Sequence, residues 1–120
     1  MKEFSFSKQD RLTRRSQFVQ LSVTGKRLVG RYFLAIIASG KTARTRLGVT
    51  VTRKVGPAYQ RNRIKRLVRE HFRQHRDEIS GTWDINIIAK QGAGRVANPA
   101  LQRSLADLFA EIDIKLNRHA

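Results

Sequence analysis

The chain has 120 residues, with 25 lysines and arginines against nine aspartates and glutamates, and a formal charge of +16. This length fits one compact domain, and so large a positive excess, opposed by self-repulsion in the compact state, predicts a polyanionic partner. The composition excludes disulfides, thiolate metal sites and a membrane span, because there is no cysteine and no apolar run reaches about 18 residues.

The amino-terminal residues give the weakest pattern. Residues 1–10 have no clear period and no apolar core of a signal peptide, so we expect a loosely held arm on a protein of the cytoplasm, without a membrane partner. The rest, residues 11–120, is predicted to be a single domain. Its first helix is expected to begin near Thr13 or Ser16, both possible N-caps, and to end at Gly25.

Three segments are predicted to be strands. The run at 31–38 is apolar and rich in β-forming residues, as in a buried strand. Residues 47–52 alternate between apolar and small or polar side chains, and residues 83–90 read similarly. The side chains predicted to face the core are Leu47, Val49, Val51, Ile85, Ile87 and Ala89.

Two further helices are predicted. One begins near Pro57 and runs to about residue 79, and the other begins at Asn98 and Pro99 after a glycine-containing turn at 91–95. The resulting order of helix, strand, strand, helix, strand, helix predicts a single α/β (α+β) domain with helices packed on a central sheet. Apolar residues of the last helix repeat at helical spacing, as core residues do: Leu101, Leu105, Leu108, Phe109, Ile112 and Leu116.

The most informative helical segment is residues 61–76. An apolar stripe, formed by Ile64, Leu67, Val68 and Phe72, lies opposite a basic sector. Like charges at this spacing cost a few tenths of a kcal/mol each, so the pattern favours a partner that supplies negative charge, such as phosphate. The alternative is a solvated basic helix without a partner. The basic sector contains Asn62, Lys65, Arg66, Arg69, Arg73 and Arg76.

The surrounding sequence strengthens the case for nucleic acid. From Arg11 to Arg69 there are sixteen lysines and arginines and no acidic residue, so few of these cations have an internal partner close in sequence. Cations without such partners are available to phosphates.

Residues 46–70, RLGVTVTRKVGPAYQRNRIKRLVRE, resemble the signature of the bacterial ribonuclease P protein family. The resemblance continues more weakly through LTRRSQF at 12–18, Gly25, the strand at 31–38 and DINIIAK at 84–90. It implies a fold like that of the second domain of a ribosomal small-subunit protein. It also implies a left-handed crossover between two parallel strands, against the general preference.

The resemblance further implies a subunit of an endoribonuclease that binds a large catalytic RNA and helps it cleave the 5′ leader from precursor transfer RNA. The protein would supply no catalytic residue, bind no cofactor or metal of its own and take no small-molecule substrate. Magnesium ions would act with the RNA. The residues implied to face the catalytic RNA are Arg61, Asn62, Arg63, Lys65, Arg66, Arg69 and Arg73.

The family also holds the single-stranded leader in a cleft between the sheet and the first helix. Phe18 matches an aromatic position there, and an aromatic ring can stack on an unpaired base at about 1 to 3 kcal/mol. Where the family often has a second aromatic, this chain has Ser22, so stacking is expected to be weaker or shifted towards Tyr32. The other cleft residues implied are Thr50, Thr52, Arg53 and Lys54.

Other interpretations remain at this point. Phe18 fits a core position equally well, and His71 and His75 fit packing positions beside the apolar stripe. A structural RNA-binding protein of the ribosomal type would share the charge and the fold. A free-standing nuclease would need a cluster of carboxylates for magnesium, which the acid-free stretch disfavours.

Overall fold

The structure, a computed structural model, describes residues 8–40, 42–79 and 81–117. Most of the predicted arm, residues 1–7, lies outside this part of the chain. The helices are α1 (Arg15–Thr24), α2 (Ala58–His75) and α3 (Asn98–Asn117), and the strands are β1 (Lys26–Val29), β2 (Phe33–Ser39), β3 (Arg46–Thr50) and β4 (Trp83–Ala89).

The strands form one mixed sheet in the order β1-β2-β4-β3. β2 pairs antiparallel with β1 and with β4, whereas β3 pairs parallel with β4. A parallel pair needs a long crossover, and here α2 supplies it. The predicted α+β class, with helices packed on a central sheet, is confirmed.

Strand β1 is absent from the prediction. Its sequence, KRLV, is short and charged, and three of its four residues are exposed, so it has no apolar alternation to reveal it. Its order comes from the ladder with β2, which runs from Lys26 opposite Ile37 to Val29 opposite Leu34. Strand β1 therefore forms because it pairs with β2, and its own residues do not predict a strand.

One face of the sheet and the helices α2 and α3 enclose the larger core. The predicted inward residues of β3 and β4 lie there, with Ile85 and Ile87 fully buried. The predicted stripes of α2 and α3 are also buried against this face, although the side chain of Leu116 lies outside the described residues. No helix in the described part of the chain is long and apolar enough to cross a membrane.

Helix α1 covers the opposite face of the sheet and makes a second, smaller cluster. Leu12, Leu21 and Ile36 are buried there, and Phe18 packs against them while half-buried. The close approach of α1 depends on Gly48 of β3, because a Cβ atom at that position would lie 2.5 Å from Phe18 Cε1. Glycine therefore allows the aromatic ring to lie on the sheet.

Several predicted boundaries need correction. Neither Thr13 nor Ser16 caps α1; the Gln17 side-chain oxygen instead accepts hydrogen bonds from the backbone N–H groups of Thr13, at 2.8 Å, and Arg14, at 2.9 Å. Helix α2 ends at His75, and the next residues, Arg76–Glu78, form a 3₁₀ turn. Strand β3 ends two residues before the predicted end at 52.

The last three residues of the predicted arm are ordered, contrary to expectation. Lys8–Asp10 form a 3₁₀ turn, and Asp10 is fully buried. Arg11 then forms an isolated parallel bridge with Leu47 of β3. The described part of the amino-terminal segment therefore extends the edge of the sheet.

Replacing Gly48 with valine is predicted to displace α1 from the sheet. The new side chain would overlap Phe18 and approach Leu12 Cδ1 at 3.1 Å, so we expect the free energy of unfolding to fall by about 1 to 3 kcal/mol. Urea unfolding would measure the change. Gly92→Val is the matched control, since nothing lies within 4 Å of a Cβ there; equal losses in both variants would mean that Phe18 does not pack on Gly48.

Candidate nucleic-acid interface

The apolar side of α2 fixes which of its residues face solvent. Ile64, Leu67, Val68 and Phe72 are buried against the sheet, so the predicted basic sector points away from the core. Asn62 and Arg66 are exposed, and Lys65 and Arg69 are half-buried. These four residues therefore form the accessible centre of the predicted RNA-contact surface.

The positive charge at this centre is not neutralised within the described residues. No carboxylate there lies within salt-bridge distance of Lys65, Arg66 or Arg69. Burial, and next the neighbouring charge of Arg11, lower the pKa of Arg69. Such crowding of like charge favours the binding of an anion.

Arg73 differs because it has an acidic partner on the same helix. Its guanidinium pairs with the Glu70 carboxylate, and the Nε to Oε2 distance is 3.1 Å. The hydrogen bond from Arg73 is the main cause that lowers the pKa of Glu70. Since an exposed pair of this kind contributes little to stability, a phosphate could compete with Glu70 for Arg73.

Arg63 points its guanidinium at the chain itself. Nη1 donates to the Val96 carbonyl at 3.2 Å and also to Asn98, and Nη2 donates to the Gln60 amide oxygen at 2.9 Å and to the Gly94 carbonyl at 3.4 Å. These bonds tie α2 to the turn before α3. The RNA contact implied for Arg63 remains a prediction, and the geometry favours a positioning role.

Arg61 lies in the first turn of α2 and is half-buried. Its Nε atom is buried and has no hydrogen-bond partner among the described residues. Its contact with RNA also remains a prediction.

The predicted leader-binding residues lie on the other face of the sheet. Phe18 and Gly48 are in contact, and Thr50 lies two residues further along the same face of β3. Beside Thr50 the floor is formed by Ile88 and Leu34, which are paired across the sheet and half-buried. This surface of Phe18, Thr50, Ile88 and Leu34 is called the Phe18 cleft below.

The remaining predicted cleft residues follow β3. Thr52, Arg53 and Lys54 are exposed and come after the end of the strand, with Arg53 and Lys54 in a 3₁₀ turn. They lie between the strand that carries the Phe18 cleft and the helix that carries the basic face.

Asn86 is buried beside the Phe18 cleft, and its role was not predicted from the sequence. It lies between Gly48 and Ile36 on the α1 side of the sheet and is 6% exposed. Its Oδ1 atom accepts a hydrogen bond from the Thr50 hydroxyl at 3.1 Å. The sequence could have pointed to Asn86, because asparagine is disfavoured in strands and this one stands within the strand segment DINIIAK.

The position of the expected second aromatic is polar and exposed. The Ser22 hydroxyl donates to the Val19 carbonyl at 2.7 Å on α1. Tyr32 packs against the larger core, and the Arg31 guanidinium lies 5.3 Å from its ring centre. Tyr32 therefore does not join the cluster that contains Phe18.

His71 and His75 are packing residues, as predicted. Their rings stack at 4.4 Å, and His71 lies 4.9 Å from the Phe109 ring of α3. Burial is the main cause that lowers the pKa of His71 to about 4. His75 Nδ1 is 2.8 Å from a Glu78 carboxylate oxygen, which accounts for one of the acids after α2.

Comparison with known proteins agrees with this geometry. The family model described as Ribonuclease P matches residues 6–113. A ribonuclease P protein component of Desulfosudis oleivorans is 51% identical over 109 residues, which cover 91% of this chain and 90% of the relative.

Two solved structures share the fold. The ribonuclease P protein of Staphylococcus aureus is 31% identical, with a TM-score of 0.80, and the match covers 87% of this chain and 97% of that protein. The protein of Thermotoga maritima is 33% identical, with a TM-score of 0.73, and the match covers 82% and 93% of the two chains.

The two kinds of arginine on α2 are predicted to differ in their effect on stability. Arg63→Ala leaves the carbonyl groups of Gly94 and Val96 without their donor, so the free energy of unfolding should fall by about 1 to 3 kcal/mol. Arg66→Ala removes an exposed side chain and should change it by less than about 0.5 kcal/mol. Urea unfolding of both variants would test this. If Arg63→Ala left the free energy of unfolding unchanged, the hydrogen bonds of Arg63 to the chain would not contribute to stability.

Proposed function

The chain belongs to the ribonuclease P protein family, and we propose that it binds the catalytic RNA of that enzyme and helps it remove the 5′ leader of precursor transfer RNA. Members of this family are protein components of a ribonuclease. In this function the basic face of α2 binds the catalytic RNA, and the Phe18 cleft binds the leader.

The basic face of α2 is the observation that carries the proposal. Lys65, Arg66 and Arg69 have no carboxylate partner among the described residues. Burial, and next the charge of Arg11, lower the pKa of Arg69. An RNA backbone would supply the missing negative charge and release its own counterions. These contacts position the RNA and do not read its sequence.

The Phe18 cleft suits an unpaired strand. Its floor is largely apolar, one aromatic ring is half-exposed, and the cations Arg53 and Lys54 lie in the turn that follows β3 after two residues. Single-stranded RNA is commonly bound by such a combination of stacking surface and nearby positive charge. Because stacking makes little distinction between bases, the cleft could serve many precursors.

The protein would contribute binding and orientation, and the RNA would contribute the hydrolysis. Among residues 8–40, 42–79 and 81–117, no three acidic, histidine or cysteine side chains are grouped so that they could hold a metal ion. We assign the magnesium ions to the RNA, as the family resemblance implies. A structural protein of the ribosomal type would share the charge and fold, but the family match over residues 6–113 favours the processing role.

The direct test is cleavage of precursor transfer RNA by a bacterial ribonuclease P RNA at low magnesium, with and without the protein. The protein is expected to stimulate cleavage. Arg66→Ala should weaken binding of that RNA and lower the slope of log K against log salt concentration by about one, as loss of one phosphate contact would.

Arg103→Ala is the matched control, because Arg103 is an exposed arginine on α3. It should leave the slope unchanged. Absence of stimulation would remove the processing role, and equal slopes for the wild type and Arg66→Ala would exclude Arg66 from the interface.

Phe18→Leu is predicted to weaken binding of precursor transfer RNA that carries a leader, with little effect on mature transfer RNA. Leucine keeps the apolar contact with the α1 cluster but loses the stacking surface, so the expected cost is at least about 1 kcal/mol. Leu21→Ala is the control, since Leu21 is buried in the same cluster. It should destabilise the fold, and if it reduced leader discrimination as much as Phe18→Leu, the role of Phe18 would be structural.

A further inference from the structure

A depression of about 440 Å³ lies where the amino-terminal segment meets α2. On the α2 side it is lined by Asn62, Lys65, Arg66 and Arg69, together with the Glu70–Arg73 pair. On the other side it is lined by Arg11, which precedes α1 and belongs to a different element. The basic surface is thus concave and built from two segments.

Arg11 is held firmly in this position. Its two neighbours are both buried: Asp10 is 0% exposed and Leu12 is 6% exposed. The Leu12 N–H group donates to the Leu47 carbonyl at 2.9 Å, and Arg11 itself lies opposite Leu47 in the bridge to β3. Arg11 itself is exposed, between these two buried neighbours.

Asp10 is the anchor of this segment. One carboxylate oxygen accepts a hydrogen bond from Arg44 Nη1 at 3.1 Å, and the other lies 3.0 Å from Arg76 Nη1. Arg44 lies in the loop before β3, and Arg76 lies in the turn after α2. A fully buried carboxylate is costly unless it is paired, and these two contacts help to keep Asp10 buried.

The arrangement places like charges together. Arg11 acts electrostatically on Arg69 and contributes, after burial, to the lowered pKa of that residue. Glu70 is the acidic residue that lines the depression, and it pairs with Arg73. Arg11 and Arg69 therefore place like charges around one depression, and an anion between them would relieve the repulsion.

We propose that this depression is a phosphate-binding notch for the RNA backbone, in which Arg11 approaches a phosphate group from the side opposite Arg66 and Arg69. Asp10 is a positioning residue for Arg11. The inference rests on the proposed function of the α2 face and adds a second segment of the chain to it. A notch with guanidinium groups on two sides binds a phosphate more selectively than a flat row of cations.

The first test is the salt dependence of binding to ribonuclease P RNA. Arg11→Ala should weaken binding about fivefold near physiological salt and lower the slope of log K against log salt concentration by about one. Arg103→Ala should do neither. If Arg66→Ala lowers the slope and Arg11→Ala does not, the notch is wrong and the proposed function stands; if neither variant lowers it, the proposed function of this face fails.

The second test separates positioning from net charge. Asp10→Asn removes one negative charge and makes the net charge more positive by one, so electrostatics alone would tighten RNA binding. If Asp10 positions Arg11, Asp10→Asn should instead weaken RNA binding and lower the slope of log K against log salt concentration by about one. The double variant Asp10→Asn with Arg11→Ala should then bind RNA no worse than Arg11→Ala alone.

Tighter binding, or additive losses in the double variant, would overturn the role of Asp10. Urea unfolding of each variant establishes the range in which it is folded. Should Asp10→Asn fail to fold, Arg44→Gln removes one arginine partner of Asp10 and leaves Arg76 in place. Arg44 is half-exposed, and the same non-additivity with Arg11→Ala is then expected.

Discussion

The orientation of α2 on the sheet is the constraint on which the rest of the structure depends. Four apolar side chains bury themselves in the larger core, and each fully buried side chain of this kind contributes about 1.5 to 3 kcal/mol. Repulsion between like charges on the opposite side costs only a few tenths of a kcal/mol per pair. Core packing therefore decides how the helix is rotated, and the position of the basic face follows from it.

Internal contacts divide the basic residues into two groups that composition cannot distinguish. Arg46 forms two hydrogen bonds with Asp84, at 3.0 and 2.9 Å, and Arg44 and Arg76 contact Asp10. Arg63 donates to backbone carbonyl groups. These arginines hold the fold together, so the formal charge of +16 overstates what is presented to a partner. On α2, Lys65, Arg66 and Arg69 have no carboxylate partner among the described residues.

The sequence predicts the parts of the fold that rest on local periodicity. In α2 and α3 the apolar residues recur at helical spacing, and in the buried strands they alternate. Ile85 and Ile87 are accordingly buried in the core, as the alternation predicts. Strand β1 and the anchor at Asp10 depend on distant partners. Asp10 pairs with residues 34 and 66 positions further along the chain. No local pattern carries that information. For the same reason the sequence does not distinguish Arg63, which donates to the chain itself, from the exposed Arg66.

Strand β3 connects the two surfaces assigned to RNA. Leu47 bridges to Arg11 of the notch, Gly48 receives the Phe18 ring, and Thr50 lies in the Phe18 cleft. A short turn over residues 53–55 then leads into the region of Pro57, where α2 begins. Both surfaces are thus attached to one strand that is paired along its length with β4. The spacing between a bound catalytic RNA and a bound leader would be set by a hydrogen-bonded strand, which is stiffer than a loop. Substitutions in β3 should therefore affect both surfaces together, whereas substitutions of exposed α3 residues such as Arg103 should affect neither.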